Sequence, residues 1–268
     1  MRFGFLLGYD GERYFGYVRQ PGKPTVEEEL LKALRSAGVI DSPKQARYRV
    51  AARTDRNVSA IGQVTALDTL RPPDPLQINK LLPPDIALLA VDEVEDDFDP
   101  RTHAINKHYR YVCETPENFD LNAARKAAEL LEGKHDFTKF CKIEPGRPTV
   151  TTVRKIIVKL DDFLTFDFVA PVFLRQQVRR MVTGILKVGK KETSLEELKL
   201  ALEGKTKHSL QPAPPDGLFL VSVMFKRRIF SSHRKLAEKF LNHLQAKNDL
   251  RSREMARLLS GMLLDVNF

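Results

Sequence analysis

The chain is poor in cysteine, in long apolar runs and in cofactor-binding motifs. Only Cys113 and Cys141 occur in 268 residues. Neither belongs to a CxxC pair or another metal-ligand spacing, so no metal site is expected, and two free thiols fit a reducing compartment. No apolar stretch approaches the roughly 20 residues that span a bilayer. The apolar start, residues 1–8, is shorter than the core of a secretory leader and runs at once into Asp10 and Glu12. These absences predict a soluble cytoplasmic protein with no membrane partner. There is no glycine-rich phosphate loop, no Walker sequence, no GxGxxG and no Ser-His-Asp order. No nucleotide cofactor is expected.

What the chain does have is positive charge and enough apolar residues to build cores. The formal net charge is +9, from 44 basic and 35 acidic residues, and the hydrophobic fraction is 42%. A surplus of this size favours a polyanionic partner without saying which. The length suits about two domains of ordinary size.

Periodicity divides the chain into two similar runs of elements. Residues 3–9 read as a strand. Thr25 and Glu28 form a capping-box pattern ahead of a helix that Gly38 ends. Strands follow at 48–52 and 63–70, then a short helix at 74–82 stopped by Pro83-Pro84, then a strand at 86–94. The order is β-α-β-β-α-β. It recurs with a strand at 105–114, a helix at 120–132 capped by Asp120, and a hairpin of 153–160 with 163–169. Helices at 172–188 and 194–203 and a strand at 218–225 complete it. Ser194 and Glu197 supply a second capping-box pattern. The expected architecture is α+β: two tandem ferredoxin-like βαββαβ halves, 1–98 and 99–228, whose antiparallel sheets flank a central basic cleft. Residues 229–268 are expected to add a helical hairpin. Leu236, Phe240 and Leu244 form one of its stripes, and Met255, Leu258, Leu259, Met262 and Leu263 form the other.

Three segments carry candidate chemistry. Arg53-Thr54-Asp55-Arg56-Asn57 lies on the connection between the strands at 48–52 and 63–70, where a rigid scaffold can aim a side chain. Flanking arginines favour the ionised form of Asp55. A Thr-Asp pair in such a connection is more often a turn that satisfies local N–H groups. The second segment, Lys107-His108-Tyr109-Arg110-Tyr111, alternates aromatic and basic residues along a strand. That pattern usually means packing, and it can also stack a base beside phosphate-binding cations. The third segment, at 173–182, is expected to open the longest helix, with Arg175 and Arg179 four apart beside an apolar stripe and Arg180 next to them. Such arginines can bind phosphate or reach a buried carboxylate. His135, after Gly133, reads as a structural histidine near a helix C-terminus.

Taken together, the segments resemble the TruA-type family of tRNA pseudouridine synthases. They are Tyr9-Asp10-Gly11 with Phe15-Gly16-Tyr17; Thr25-Val26-Glu27; Arg53-Thr54-Asp55 through Gly62-Gln63-Val64; and Leu81-Leu82-Pro83-Pro84-Asp85-Ile86. Tyr109-Arg110-Tyr111, Gly133-Lys134-His135-Asp136-Phe137, Thr152-Val153-Arg154, Phe173-Leu174 with Val178-Arg179, and Pro212-Ala213 leading to Gly217-Leu218 follow in the family's order. The resemblance covers about residues 3–226. It implies that Asp55 is the catalytic aspartate, that Tyr109 stacks on the target base, that Arg53 helps extrude it, and that Arg179 pairs with the aspartate. Arg56, Arg175 and Arg180 would then contact RNA phosphates. The resemblance further implies a cofactor-independent isomerisation of uridine in the anticodon stem-loop of tRNA, by a homodimer. The weighed alternative is a non-catalytic RNA-binding or RNA-folding protein on the same scaffold. Ala52, Arg56-Asn57 and Ser59 depart from the bacterial pattern and look more like the archaeal and eukaryotic branches. Asn57 stands where a glycine is usual and tolerates a left-handed backbone. The resemblance places no counterpart for the tail from Ile229.

Overall fold

The computed structural model describes residues 1–230 and 234–264. The chain forms two compact units, Met1–Ile105 with Phe219–Phe268, and Asn106–Leu218. Both are mixed α+β.

In the first unit, β1 (Arg2–Tyr9) lies between β4 (Ile86–Glu93) and β3 (Ser59–Asp68), antiparallel to both. Phe5, Leu7 and Tyr9 alternate along β1 and are fully buried, the period-2 pattern of a strand with a core face. The expected strand at 48–52 shrinks to β2 (Arg49–Val50), paired with Ala66 and Thr65 of β3. The strand after it begins earlier than expected, at Ser59. Residues 51–58 are therefore a connection at one end of the sheet. The pair Tyr9–Ala60 sets the register there, so Asp10 and Gly11 run beside that connection.

Helix α1 (Val26–Ser36) starts where Thr25 Oγ1 accepts from the Glu28 N–H. The reciprocal half of that capping box is not made; the Glu28 carboxylate lies 4.0 Å from Arg35 instead. Helix α2 (Pro75–Leu81) is capped by Asp74, which accepts from Leu76 and Gln77 N–H, with proline at the helix start where no N–H is needed.

In the second unit, β9 (Leu164–Ala170) lies between β5 (Asn106–Cys113) and β8 (Lys155–Leu160), again antiparallel. Helix α3 (Leu121–Leu130) packs on β8 and on α4 (Gln177–Gly189). Helix α5 (Leu195–Leu202) carries the complete capping box, Ser194 N–H to Glu197 at 2.8 Å and Glu197 N–H to Ser194 Oγ at 3.1 Å. An unexpected two-stranded ribbon pairs β6 (Gly133–Asp136) with β7 (Val150–Val153). His135 sits in β6 with its Nε2 2.7 Å from the Glu132 carbonyl, as a structural histidine would.

One expectation needs correction. The helix read at 172–188 begins only at Gln177, because Gln176 takes a left-handed backbone (φ 62°) and the Gln177 side chain accepts from the Leu174 N–H at 2.8 Å. Arg175 therefore precedes the helix and does not share a helical face with Arg179. Among the described residues the longest helix is α7 (Leu250–Leu264). The strand expected at 218–225 is present as β10 (Leu218–Met224). Its Phe219 and Leu220 pair with Ser59 and Ala60 of β3, in parallel. Gly62 permits this: a Cβ there would lie 2.1 Å from the Val221 carbonyl oxygen.

The expected helical hairpin is present as α6 (Arg234–Gln245) and α7. Leu236, Phe240, Leu244, Met255 and Leu259 are buried, while the side chain of Leu263 lies outside the described residues. Phe240 sits over Gly8 of β1, where a Cβ would come within 2.6 Å of the ring. Asn79 of α2 fastens α6 to β4, exchanging hydrogen bonds with both backbone groups of Leu88 and donating to the Leu236 carbonyl.

Candidate active site

The connection at 51–58 is held at nearly every residue. The fully buried Gln63 side chain donates to the Ala52 carbonyl at 2.8 Å and accepts from the Ala52 N–H at 3.1 Å. Thr54 Oγ1 and the Tyr9 hydroxyl lie 2.8 Å apart, and the Thr54 carbonyl accepts from Tyr17 N–H. The Asn57 N–H donates to the Tyr14 carbonyl, and the Val58 N–H donates to the Asp55 carbonyl, closing a turn around Asp55 itself.

Glycine is required on the neighbouring strand end and loop. Gly16 has φ 107°, and a Cβ there would sit 2.8 Å from the Thr54 carbonyl oxygen. A Cβ on Gly11 would meet the Val58 carbonyl oxygen at 2.2 Å. The backbone of the loop thus lies directly on the backbone of residues 11–16. As expected, Asn57 adopts the left-handed conformation, φ 64°.

Within this frame Asp55 is half-buried, while Arg53 and Arg56 are exposed. The Arg56 guanidinium stacks over the Phe15 ring, 4.2 Å from its centroid, a cation–π contact that limits its swing. Burial raises the Tyr9 hydroxyl's pKa well above its ordinary value, so it stays protonated and serves as a neutral hydrogen-bonding strut.

The remaining candidate residues stand in the second unit. Tyr109 is buried on β5, opposite Phe168 of β9, and meets Phe173 edge to face at a centroid distance of 5.4 Å. Arg179, on α4, donates from Nε to the Ala213 carbonyl at 2.6 Å, and the Ala213 N–H donates back to the Arg179 carbonyl. Residues 212–213, part of the recognised pattern, therefore fix the base of the Arg179 side chain. Arg180 is braced inside the unit, donating to the Leu210 carbonyl and, at 2.9 Å, to Gln176. Arg175 is exposed.

Sequence reading gave no role to Gln63, Tyr9 or Asp10. A glutamine inside an apolar strand was the available signal for Gln63, since a buried amide must find partners.

Comparison with known proteins identifies the family. Residues 127–226 match the sequence pattern of tRNA pseudouridine synthases. A tRNA pseudouridine synthase A of Methanosarcina mazei is 39% identical over 267 residues, covering 98% of this chain and 99% of the relative. The chain belongs to the tRNA pseudouridine synthase family. The corresponding protein of Pyrococcus abyssi is 35% identical and covers 98% of the chain, and that of Thermococcus kodakarensis is 37% identical and covers 84%. The resemblance seen in the segments is thus borne out at family level. A match over 98% of the chain also takes in most of residues 229–268, for which the short motifs placed no counterpart.

Proposed function

We infer that the chain is a tRNA pseudouridine synthase that isomerises uridine in tRNA to pseudouridine. Its relatedness to proteins of that name along nearly its whole length carries this reading. The reaction breaks the bond between the ribose C1′ and N1 of uracil, turns the base, and rejoins it through C5, which gives up its proton as N1 gains one. It is redox-neutral, so it needs a nucleophile or base, a stacking surface and cations, and we propose that it proceeds without a cofactor.

Asp55 is the catalytic group in this proposal. Support comes from the way the surrounding backbone is pinned while the carboxylate stays half-buried: a rigid loop presenting one acid is the form that covalent or proton chemistry requires. Whether Asp55 attacks C1′ or removes a ribose proton is left open. Tyr109 is proposed to stack on the uracil, Arg53 to help extrude it, and Arg179 to pair with the aspartate. We propose Arg56 and Arg175 as phosphate contacts; they are exposed and cationic. Arg180, whose N–H groups already brace Leu210 and Gln176, we read as support for α4. The proposal also retains two ferredoxin-like halves around a basic cleft, a target in the anticodon stem-loop, a cytoplasmic location and a homodimer.

Mapping pseudouridine in an unmodified tRNA transcript after incubation tests the reading. The wild-type chain should convert defined uridines, and Asp55→Asn should convert none while binding tRNA within about tenfold of wild type, roughly 1.4 kcal/mol. Binding without conversion by the wild-type chain would favour the non-catalytic RNA-binding alternative. Turnover by Asp55→Asn would remove Asp55 from the chemistry.

A further inference from the structure

The C-terminal helices reach the loop that carries Asp55. Arg251, in the first turn of α7, is about 4% exposed. Its Nη1 donates to the Asn57 carbonyl at 2.7 Å and its Nη2 to Asp10 Oδ1 at 3.0 Å. Asp10, itself about 3% exposed, follows β1. Its other oxygen accepts from Lys247 Nζ at 2.6 Å and lies 3.3 Å from His243 Nε2. Lys247 also reaches Glu12. On the near side, Asp10 Oδ1 accepts from the Glu12 N–H, and Ser59 Oγ, 3.5 Å away, accepts from the Gly11 N–H at 2.8 Å. The hairpin turn between α6 and α7, the end of β1 and the Asp55 loop thus meet at one carboxylate and one guanidinium.

We propose that Arg251 is a positioning residue for the catalytic loop, and that the C-terminal helices act as a clamp that fixes the Asn57 carbonyl, two residues after Asp55. The proposal rests on the assignment of Asp55 as the catalytic group. Asn57 is the loop's left-handed residue, the point at which its path turns. Its N–H is held by the Tyr14 carbonyl and its carbonyl by Arg251, so this peptide direction is fixed from both sides.

A stability role alone accounts poorly for the arrangement. Burying a guanidinium and a carboxylate is costly, and such pairs are often replaced by apolar groups with little loss of stability. Arg251 Nε is also buried without a hydrogen-bond partner among the described residues. What the fork supplies that an apolar side chain cannot is a direction for the Asn57 carbonyl. Misplacing a reacting group by about 1 Å can cost on the order of a hundredfold in rate.

The test uses the full chain and an unmodified tRNA transcript. Arg251→Met should lower the single-turnover rate at saturating tRNA by at least tenfold, with tRNA affinity within about twofold and a melting temperature within a few degrees of wild type. Arg251→Lys, which keeps one donor, should recover part of the rate. Arg257→Ala, an exposed change on the same helix, should leave the rate unchanged. Should Arg251→Met not fold, Lys247→Met loosens the same clamp from the turn and should slow the chemical step at unchanged affinity. A wild-type rate for Arg251→Met, or a loss that disappears once the temperature is lowered to restore folding, would overturn the proposal. Asp55→Asn is measured alongside. If it is inert while Arg251→Met is fully active, only the clamp fails; if Asp55→Asn is active, the catalytic assignment fails.

Discussion

The side chain of Gln63 hydrogen-bonds to both backbone groups of Ala52, accepting at 3.1 Å and donating at 2.8 Å. The amide completes the pairing that β2 abandons after Val50, and it does so with no exposure to water. The carbonyl it holds lies three residues before Asp55, so the approach to the Asp55 loop is set by a side chain of β3.

Gln63→Leu should therefore cost stability and activity together. It leaves a buried N–H and a buried C=O without partners, at about 1–3 kcal/mol each. Gln63→Glu keeps the acceptor and loses the donor, so it should fall between Leu and wild type. Thermal unfolding and single-turnover rates check the ranking. A Gln63→Leu protein as stable and active as wild type would show that the loop does not depend on this amide.

Tyr109 tests the proposal that the second unit takes part in the chemistry. Its ring is set edge-on to Phe173. Tyr109→Phe keeps the stacking face and should bind tRNA normally; a slower isomerisation would assign the hydroxyl a proton-handling role. Tyr109→Ala should impair both binding and rate, since stacking of a base on an aromatic ring is worth about 1–3 kcal/mol. Unchanged single-turnover kinetics in Tyr109→Ala would remove β5 from the site.

Asp167 makes the acid limb of stability predictable. It is buried on β9, with His108 Nε2 and Arg110 Nε at 2.6 and 2.7 Å from one oxygen and Arg110 Nη2 at 2.7 Å from the other. Burial works to raise its pKa, but the hydrogen bonds from His108 and Arg110 and the nearby Arg110 charge outweigh it, and the carboxyl ends below its ordinary 3.8. A folded-state value below the unfolded one means that the folded state holds the carboxylate more firmly. The contribution is complete above about pH 4 and is lost as pH falls through the depressed value. Denaturant unfolding between pH 7 and pH 2.5 should show this decline. Asp167→Asn should be less stable at pH 7, by up to about 3–5 kcal/mol for a broken buried pair, and should lose less on acidification. Parallel pH curves for the two proteins would contradict the assignment.

Local sequence determined a good deal of this protein. Thr25, Asp120 and Ser194 announced the starts of three helices, because a capping side chain acts within three residues of itself. Stripes at helical spacing announced α6 and α7. The strands read at 48–52 and 63–70 placed Asp55 on a connection, and Asn57 announced the left-handed residue that follows it. The family was legible in the order of short motifs, although no single one was decisive.

Tertiary structure decided which distant groups meet, and periodicity carries no record of that. Residues 172–188 keep a helical apolar pattern, yet the helix waits for Gln177 because the preceding turn bonds to its side chain. The strand at 218–224 has the alternation of any buried strand; that it runs beside β3 depends on Gly62, which leaves room for its backbone. Gln63 and Asp10 were visible as polar residues among apolar ones, but their partners were not. Arg251 is 194 residues from the carbonyl it holds. Buried polar groups must be satisfied by whatever the fold brings beside them. Spacing along the chain thus fixed the elements and the position of the acid, and the folded arrangement alone fixed what holds that acid in place.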